Sequence, residues 1–366
     1  MSEYEILRLA WWAILGVLLI GFAVMDGFDL GTAALLPFVG RTDMERRVAI
    51  NSVGPVWEGN QVWFILGGGA IFAAWPALSA ASFSGFYLAM FLVLATLILR
   101  PVGFKFRGKV DDPRWRAFWD WCLFAGGIVP ALVFGVAFGN LFEGVPFGFD
   151  ETLRLKTDIT LLGLLNPFAL LVGLVSLTMI ALHGAAWLNH KTLGPVQIRA
   201  RAAMPVLAGV FALLFVLAGF WLSLKSGYRI DGVMAHDGPS NPLLKHVGRA
   251  PWPLEWRAPA MALAGIALVV LLRARPLAAF LSSTLAVAAT ITTAGLALFP
   301  FLLPSSAMPD ASLTVWDASS SRLTLAVMLG VTAILLPIVI AYTAWVYRVL
   351  RGPVSADSIK TDSHSY

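Results

Sequence analysis

Long apolar stretches alternate with short polar connections along almost the whole chain. Nine such stretches cover roughly residues 7–39, 48–74, 79–99, 118–142, 158–188, 202–224, 258–272, 277–303 and 323–347. A helix needs about 20 apolar residues to cross a bilayer, and only 258–272 is at the lower limit. Backbone groups in lipid must pair within the spanning element, so helices are expected. The pattern predicts an all-α membrane protein with about nine transmembrane helices in one bundle.

The distribution of lysine and arginine predicts the orientation of this bundle. Of the 26 basic residues, 17 fall in the connections and tail that would share one side, and 9 fall on the other. Cytoplasmic loops carry the basic excess, so the N-terminus is expected outside and the C-terminus in the cytoplasm. We expect one membrane domain over residues 1–350, with an outside loop at 225–257, and a polar, mobile cytoplasmic tail at 351–366.

Composition excludes several other classes of protein. Of the 366 residues, 58% are hydrophobic and 13% are charged, whereas charged residues make up about 25% of soluble globular chains. The net charge of +5 is scattered through short loops, which is typical of a topology signal and not of a nucleic-acid-binding surface. Cys122 is the single cysteine, which excludes an intrachain disulfide and an all-thiolate metal site.

Three carboxylates lie at membrane depth: Asp26 and Asp29 in the first segment and Glu58 in the second. Each costs about 3 kcal/mol on insertion scales, so a function is expected. Asp29 precedes the first cytoplasmic turn by about as many residues as Glu58 follows it, which predicts that the two lie at one level. Two adjacent carboxylates cannot both ionise cheaply, so the pattern favours a proton path. The alternative is that they cap a helix break at Gly27 or pair with an arginine.

Polar and aromatic residues surround Glu58. Gln61 lies one turn away and is expected to hydrogen-bond Glu58, whereas Trp63 points to a different face. Asn60 and Gln61 are predicted to position side chains or waters of the path. For Trp57 and Trp63, helix packing through indole N–H groups is an equally good interpretation.

Arg100 and Asp120 flank one predicted cytoplasmic loop. They are candidates for an ion pair at the membrane interface. The competing interpretation is that each extends separately towards the headgroups or complements a helix dipole.

Histidine usage argues against a haem-binding chain. Only His183 lies within a predicted span, and the five histidines are His183, His190, His236, His246 and His364. A copper-containing haem oxidase needs several intramembrane histidines. His183 and Met179 lie four residues apart on one helix and cannot bracket an iron, so His183 is predicted to be a packed or hydrogen-bonded core residue.

Residues 21–31 read Gly-Phe-Ala-Val-Met-Asp-Gly-Phe-Asp-Leu-Gly, which resembles the opening motif of subunit II of cytochrome bd-type quinol oxidases. Similar motifs follow in order over nearly the whole chain, at residues 45–47, 57–63, 72–76, 83–87, 100–104, 135–140, 165–168, 299–301, 304–306 and 312–321. The chain is therefore similar to subunit II of these oxidases and of their cyanide-insensitive relatives.

The resemblance implies a copper-free terminal oxidase of the aerobic respiratory chain in the bacterial cytoplasmic (inner) membrane. Such an enzyme oxidises quinol and reduces dioxygen to water. Haems b and d and the quinol site would belong to subunit I, with which this chain would form a heterodimer without binding haem or metal itself. The resemblance also admits a small single-helix subunit, surrounding lipid and a structural quinone. It places Asp29 and Glu58, with Asp26, on a path for cytoplasmic protons, and Trp63, with Trp57, near an oxygen route or the subunit interface.

Two other functions remain open at this point. In a secondary transporter, the intramembrane carboxylates would bind a coupling cation or proton, but such a protein should show an inverted repeat and paired broken helices, and neither is clear. In an assembly or scaffold protein, the same residues would have no proton role.

Overall fold

Helices dominate the computed structural model, which describes residues 1–253 and 255–361. Residue 254 of the predicted outside loop and residues 362–366 of the predicted tail lie outside the described residues. The α-helices are α1 (Glu3–Met25), α2 (Gly27–Val39), α3 (Asp43–Val53), α4 (Trp57–Ala74), α5 (Pro76–Gly85), α6 (Tyr87–Phe106), α7 (Pro113–Glu143), α8 (Pro167–Lys191), α9 (Pro195–Ser223), α10 (Arg257–Leu271), α11 (Pro276–Leu298), α12 (Arg322–Val349) and α13 (Ala356–Thr361).

Seven stretches of the described chain are long and apolar enough to cross a membrane. They are Glu3–Val39, Tyr87–Phe106, Pro113–Glu143, Pro167–Lys191, Pro195–Ser223, Pro276–Leu298 and Arg322–Val349. The two other predicted segments, 48–74 and 258–272, form α3 with α4 and the 15-residue α10. The prediction of a helical, multi-pass membrane protein is confirmed.

Helix boundaries follow local capping chemistry more closely than hydropathy. Segment 158–188 becomes helical only at Pro167, because the Asn166 side chain caps α8 by accepting from the Ala169 amide at 2.8 Å. Segment 48–74 is divided after Val53, where Gly54 and Pro55 separate α3 from α4. The predicted apolar segments extend past both helix boundaries, because hydropathy does not report where the backbone changes direction.

The α3 helix begins with a reciprocal cap. The Thr42 hydroxyl accepts from the Glu45 amide at 3.3 Å, and Glu45 accepts from the Thr42 amide at 3.0 Å. Arg199 of α9 donates two hydrogen bonds to the same carboxylate, at 2.8 and 3.0 Å. These bonds, chiefly that from Arg199, lower the pKa of Glu45 to about 2. The cap therefore joins α3 to α9 at one end of the bundle.

Glycine permits close contact between the central helices. A β-carbon on Gly184 of α8 would lie 2.6 Å from the Thr32 amide nitrogen of α2, and one on Gly127 of α7 would lie 2.6 Å from the Ala34 amide nitrogen. Small residues commonly allow such backbone approach in membrane bundles. Helix α2 is consequently held between α7 and α8, and all its residues from Gly27 to Leu36 are buried.

Three small sheets add to the predicted helical architecture. Each has two antiparallel strands: β1 (Phe147–Phe149) with β2 (Leu155–Thr157), β3 (Ser226–Asp231) with β4 (His246–Pro251), and β5 (Phe301–Leu303) with β6 (Leu313–Thr314). The β3–β4 hairpin lies in the predicted outside loop, 225–257. Strand β5 takes the end of segment 277–303, so that helix is shorter than predicted.

Buried cations attach the 225–257 loop to the bundle. Lys245 pairs with Asp317 at 2.5 Å, and each side chain is 1% exposed. The fully buried Arg8 of α1 donates to the carbonyl oxygens of His236 and Gly238 and to the Ser319 hydroxyl. The loop therefore packs on α1 near the N-terminus and on residues 317–319.

The described part of the predicted tail packs on the bundle, where mobility was expected. The Val354 amide donates to the Lys191 carbonyl at 2.7 Å, and the Leu193 amide donates to the Val354 carbonyl at 3.1 Å. Ile359 of α13 is 4% exposed and joins the main apolar core. The polar composition of the tail did not reveal that Ile359, with Val354 and Ala356, packs on the core.

Candidate functional site

A buried ion pair lies where α1 meets α2. Arg100 of α6 donates to both carboxylate oxygens of Asp26, at 2.8 and 3.1 Å, and the two side chains are 1% and 0% exposed. Asp26 stays in helical geometry, since its amide donates to the Phe22 carbonyl at 2.9 Å. For Asp26, the structure thus matches the alternative of an arginine partner at the helix junction. A bidentate pair of this kind fixes orientation as well as charge.

Asp29 lies one turn further along α2 and is less completely paired. Its Oδ2 accepts from the Asn60 amide at 2.8 Å and lies 3.9 Å from the nearest Arg100 nitrogen. Its Oδ1 is buried and has no hydrogen-bond partner within the described chain. Buried polar atoms are nearly always satisfied by protein or by ordered water. Asp29 therefore presents one open oxygen in the centre of the bundle.

Asn60 connects Asp29 to the far end of the chain. While its amide nitrogen donates to Asp29, its Oδ1 accepts from the Tyr347 hydroxyl of α12 at 2.7 Å. Tyr347 was not predicted as a site residue. It is one of two tyrosines near the end of an apolar helix, and hydropathy gave no signal to distinguish it.

Glu58 does not meet Asp29 as the predicted level had suggested. Its side chain is exposed on α4, and Asn60, two residues later, occupies the position beside Asp29. The break at Gly54 and Pro55 interrupts the helix on which the count of residues was based. Gln61 is half-buried and forms no hydrogen bond with Glu58 in the described structure.

The two tryptophans of this region pack between helices. Trp57 is 4% exposed and stacks on Phe104 of α6, with ring centroids 5.3 Å apart, but its buried indole N–H has no partner within residues 1–253 and 255–361. Trp63 is 8% exposed and lies against α1 at Gly21, where a β-carbon would collide with the indole ring. Helix packing accounts for both positions, and the oxygen route stays a prediction.

The candidate ion pair between Arg100 and Asp120 does not form. Arg100 turns inwards to Asp26, whereas Asp120 accepts from Arg107 at 2.6 Å and from Arg46 at 2.7 Å. Arg107 follows the end of α6, two turns after Arg100, and is placed beside the start of α7. Sequence proximity across the loop could not show which arginine faced the carboxylate.

His183 is a hydrogen-bonded core histidine, as predicted. It is fully buried, with Nδ1 2.8 Å from the Ser283 hydroxyl and Nε2 2.9 Å from the Val24 carbonyl. Both ring nitrogens are thus engaged in hydrogen bonds. Within the described residues, no cluster of histidine, cysteine and carboxylates has the arrangement of a metal site.

The family model for cytochrome bd terminal oxidase subunit II matches residues 7–350 of this chain. The chain belongs to this family. It is 50% identical to cytochrome bd-I ubiquinol oxidase subunit 2 of Escherichia coli strain K12, with all of both chains covered. It is 33% identical to cytochrome bd ubiquinol oxidase subunit 2 of Bacillus subtilis strain 168, over 94% of this chain and 96% of that one.

A solved bd oxidase structure supports the same fold. A chain of the bd oxidase from Geobacillus thermodenitrificans matches with a TM-score of 0.68 at 16% identity, over 94% of this chain and 98% of that one. The predicted function as subunit II of a bd-type oxidase is confirmed, and the secondary-transporter alternative is not supported. This subunit II is part of an oxidoreductase complex, and it implies a subunit I partner.

Proposed function

We propose that this subunit II carries protons from the cytoplasm towards the oxygen-reducing centre of a quinol oxidase and supports the subunit that holds haems b and d. The single observation that carries the proposal is the open carboxylate oxygen of Asp29 beside the buried Asp26–Arg100 ion pair. Several relatives are named ubiquinol oxidase subunits, which supports quinol as the substrate of the complex. The complex would reside in the bacterial cytoplasmic membrane.

The pairing of Asp26 and Arg100 supports assigning the proton role to Asp29. Asp26 uses both oxygens to bind Arg100, so its charge is balanced locally. Asp29 receives one hydrogen bond from Asn60 and is only at the limit of ion pairing with Arg100. An unpaired buried carboxylate is costly unless it binds a proton or water. The cluster therefore holds one fixed charge and one exchangeable site.

Glu58 would mark the side of α4 that faces subunit I. Its carboxylate and the neighbouring residue Val62 are exposed, and Gln61 is half-buried beside them. Facing lipid at membrane depth, a carboxylate costs about 3 kcal/mol, so a polar protein surface is the favourable neighbour. Protons would pass from the cytoplasm through Glu58, along Asn60 and Asp29, into the subunit interface, near which Trp63 and Trp57 lie.

The proposed topology has nine spans. Helices α4 and α10 would complete the seven long apolar stretches, which puts the N-terminus and the 225–257 loop outside and α13 in the cytoplasm. Helix α12 is the least buried of the seven, with 6% of its apolar window inside the chain. Its outer face suits lipid or a small single-helix subunit.

The test is Asp29→Asn and Glu58→Gln in the complete oxidase, with Glu151→Gln on an exposed turn as the control. Quinol-driven oxygen consumption and haem spectra are measured for each. Positioned proton transfer contributes at least about 10²-fold to a rate, so we expect a large fall for Asp29→Asn with unchanged spectra. Full turnover in both site variants would leave only the scaffold role.

A further inference from the structure

A water-accessible cleft lies between the tail and the ends of three helices. It has a volume of about 320 Å³ and is lined by residues of the α3–α4 junction, by Trp187 and Lys191 of α8, by Tyr347 of α12 and by Ser358 of α13. A cleft of this size has room for several water molecules. By the proposed topology, it opens to the cytoplasm.

A hydrogen-bonded pair of side chains connects the inner wall of the cleft to Asp29. Tyr347 lines the cleft and its hydroxyl donates to Asn60, which in turn donates to Asp29. Trp187, the neighbouring wall residue, stacks on Phe28 with ring centroids 4.0 Å apart. One layer of side chains therefore stands between the cleft and the buried carboxylate.

Two buried oxygen atoms without hydrogen-bond partners in the described chain lie on α2, behind this layer of side chains. Asp29 Oδ1 and the Thr32 hydroxyl, one turn apart on α2, are both buried and without hydrogen-bond partners within the described residues. Polar groups in this state commonly bind ordered water. The arrangement thus provides places for water on both sides of Tyr347.

We propose that this cleft is a cytoplasmic proton entrance separate from Glu58, with Tyr347 as the positioning residue at its inner end. The inference rests on the proposed proton role of Asp29. When water enters between Tyr347 and Asp29, a hydronium in the cleft passes its proton along that water to the Asp29 carboxylate and leaves neutral water behind. Tyr347 keeps its own proton, because its hydroxyl is committed to Asn60. It thereby holds the Asn60 NH₂ group towards Asp29.

Two basic side chains lie at the mouth of the cleft, and a helix end offsets the charge of one of them. Lys191 and Arg351 are the basic residues that line the cleft. The Lys191 ammonium donates to the Leu350 carbonyl at the C-terminal end of α12, where the partial negative charge of the helix end offsets it. Helix α13 contributes Ser358 and Ile359 to the lining, and of the two Ser358 is exposed and Ile359 is buried.

The first experiment blocks the cleft in an assembled oxidase. Ser358→Cys and the control Lys360→Cys, which does not line the cleft, are made in a Cys122→Ser background. Inside-out membrane vesicles are treated with a bulky, impermeant maleimide, and the background alone controls for cysteines elsewhere in the complex. We expect turnover to fall only in labelled Ser358→Cys, and to fall further when Glu58→Gln closes the other entrance, with unchanged haem spectra. Unchanged turnover after complete labelling, verified by mass, would overturn the proposal.

The second experiment tests Tyr347 directly. Tyr347→Phe removes the hydroxyl but keeps the ring, and Tyr342→Phe on the exposed face of α12 is the matched control. Loss of one ordinary hydrogen bond predicts about a fivefold fall in turnover, together with a larger solvent isotope effect as proton delivery becomes limiting. A fall without that isotope effect would indicate a structural role only.

The proton role of Asp29 and the entrance at the cleft are tested by different variants. If Asp29→Asn leaves turnover intact, the proposed function is wrong and the entrance has no target. If Asp29→Asn abolishes turnover while the labelled cleft and Tyr347→Phe remain fully active, protons reach Asp29 by the Glu58 side alone, and the entrance proposal is refuted.

Discussion

The cluster of Asp26, Asp29 and Arg100 predicts an unequal response to removing its charges. Arg100→Met leaves two buried carboxylates without a cation, and breaking a buried pair in this way typically destabilises by about 3–5 kcal/mol. Asp26→Asn leaves Arg100 beside Asp29, whose Oδ2 is already within 3.9 Å. Asp29 can take over the pairing, so the loss is limited to charged hydrogen bonds, about 1.5–3 kcal/mol.

The measurement is the heat resistance of the purified oxidase complex, followed by loss of native haem absorbance. All variants are heated at the same rate, because unfolding of such complexes is irreversible and the midpoint depends on that rate. We expect the stability order wild type, Asp26→Asn, Arg100→Met. The double variant Arg100→Met/Asp26→Asn should be more stable than Arg100→Met alone, since it removes one uncompensated charge.

Turnover of the Asp26→Asn variant distinguishes a change of partner at Arg100 from general destabilisation. Once Asp29 pairs with Arg100 in the Asp26→Asn variant, it is no longer the exchangeable group, so turnover should fall although the complex survives. If Asp26→Asn proves as unstable as Arg100→Met, or if the double variant is no better than Arg100→Met, Asp29 does not substitute for Asp26. The account of one fixed and one exchangeable carboxylate would then be refuted.

Three further variants test the framework around the site. Gly31→Val forces side-chain atoms into the backbone of α8, so assembled complex should be largely lost from membranes, whereas Gly330→Val, at an open position, should assemble normally. Lys245→Met leaves Asp317 buried without its cation, which should destabilise by about 3–5 kcal/mol and speed proteolysis of the 225–257 loop; Arg229→Met is the exposed control. The pKa of Glu45 is about 2 when folded, below its ordinary value of about 4.3, so its stabilisation is complete above about pH 4.3 and is lost as the pH falls towards 2. Glu45→Gln should therefore destabilise the complex at pH 7, and its difference from wild type should shrink in thermal scans at lower pH.

Local patterns were sufficient to predict the class of fold and the principal carboxylates. Hydropathy depends only on neighbouring residues, so the long apolar stretches, with Asp26 and Asp29 inside the first of them, could be read directly. The burial of His183 followed from its position within an apolar span. Boundaries were less accurate where capping residues such as Asn166 ended or began a helix within an apolar stretch.

Partners across the bundle depended on how each helix is rotated and how closely it approaches its neighbours. Contacts such as that of Gly184 with α2 fix these quantities, and they bring Tyr347 to Asn60 although 287 residues separate them. Because of the same packing, Arg100 pairs with Asp26 and not with Asp120. Glu58 stays on the surface. The sequence alone determined which polar groups lie within long apolar segments, because hydropathy depends on local composition. The tertiary structure decided which of them are paired, because a charge finds its partner only after the helices are packed.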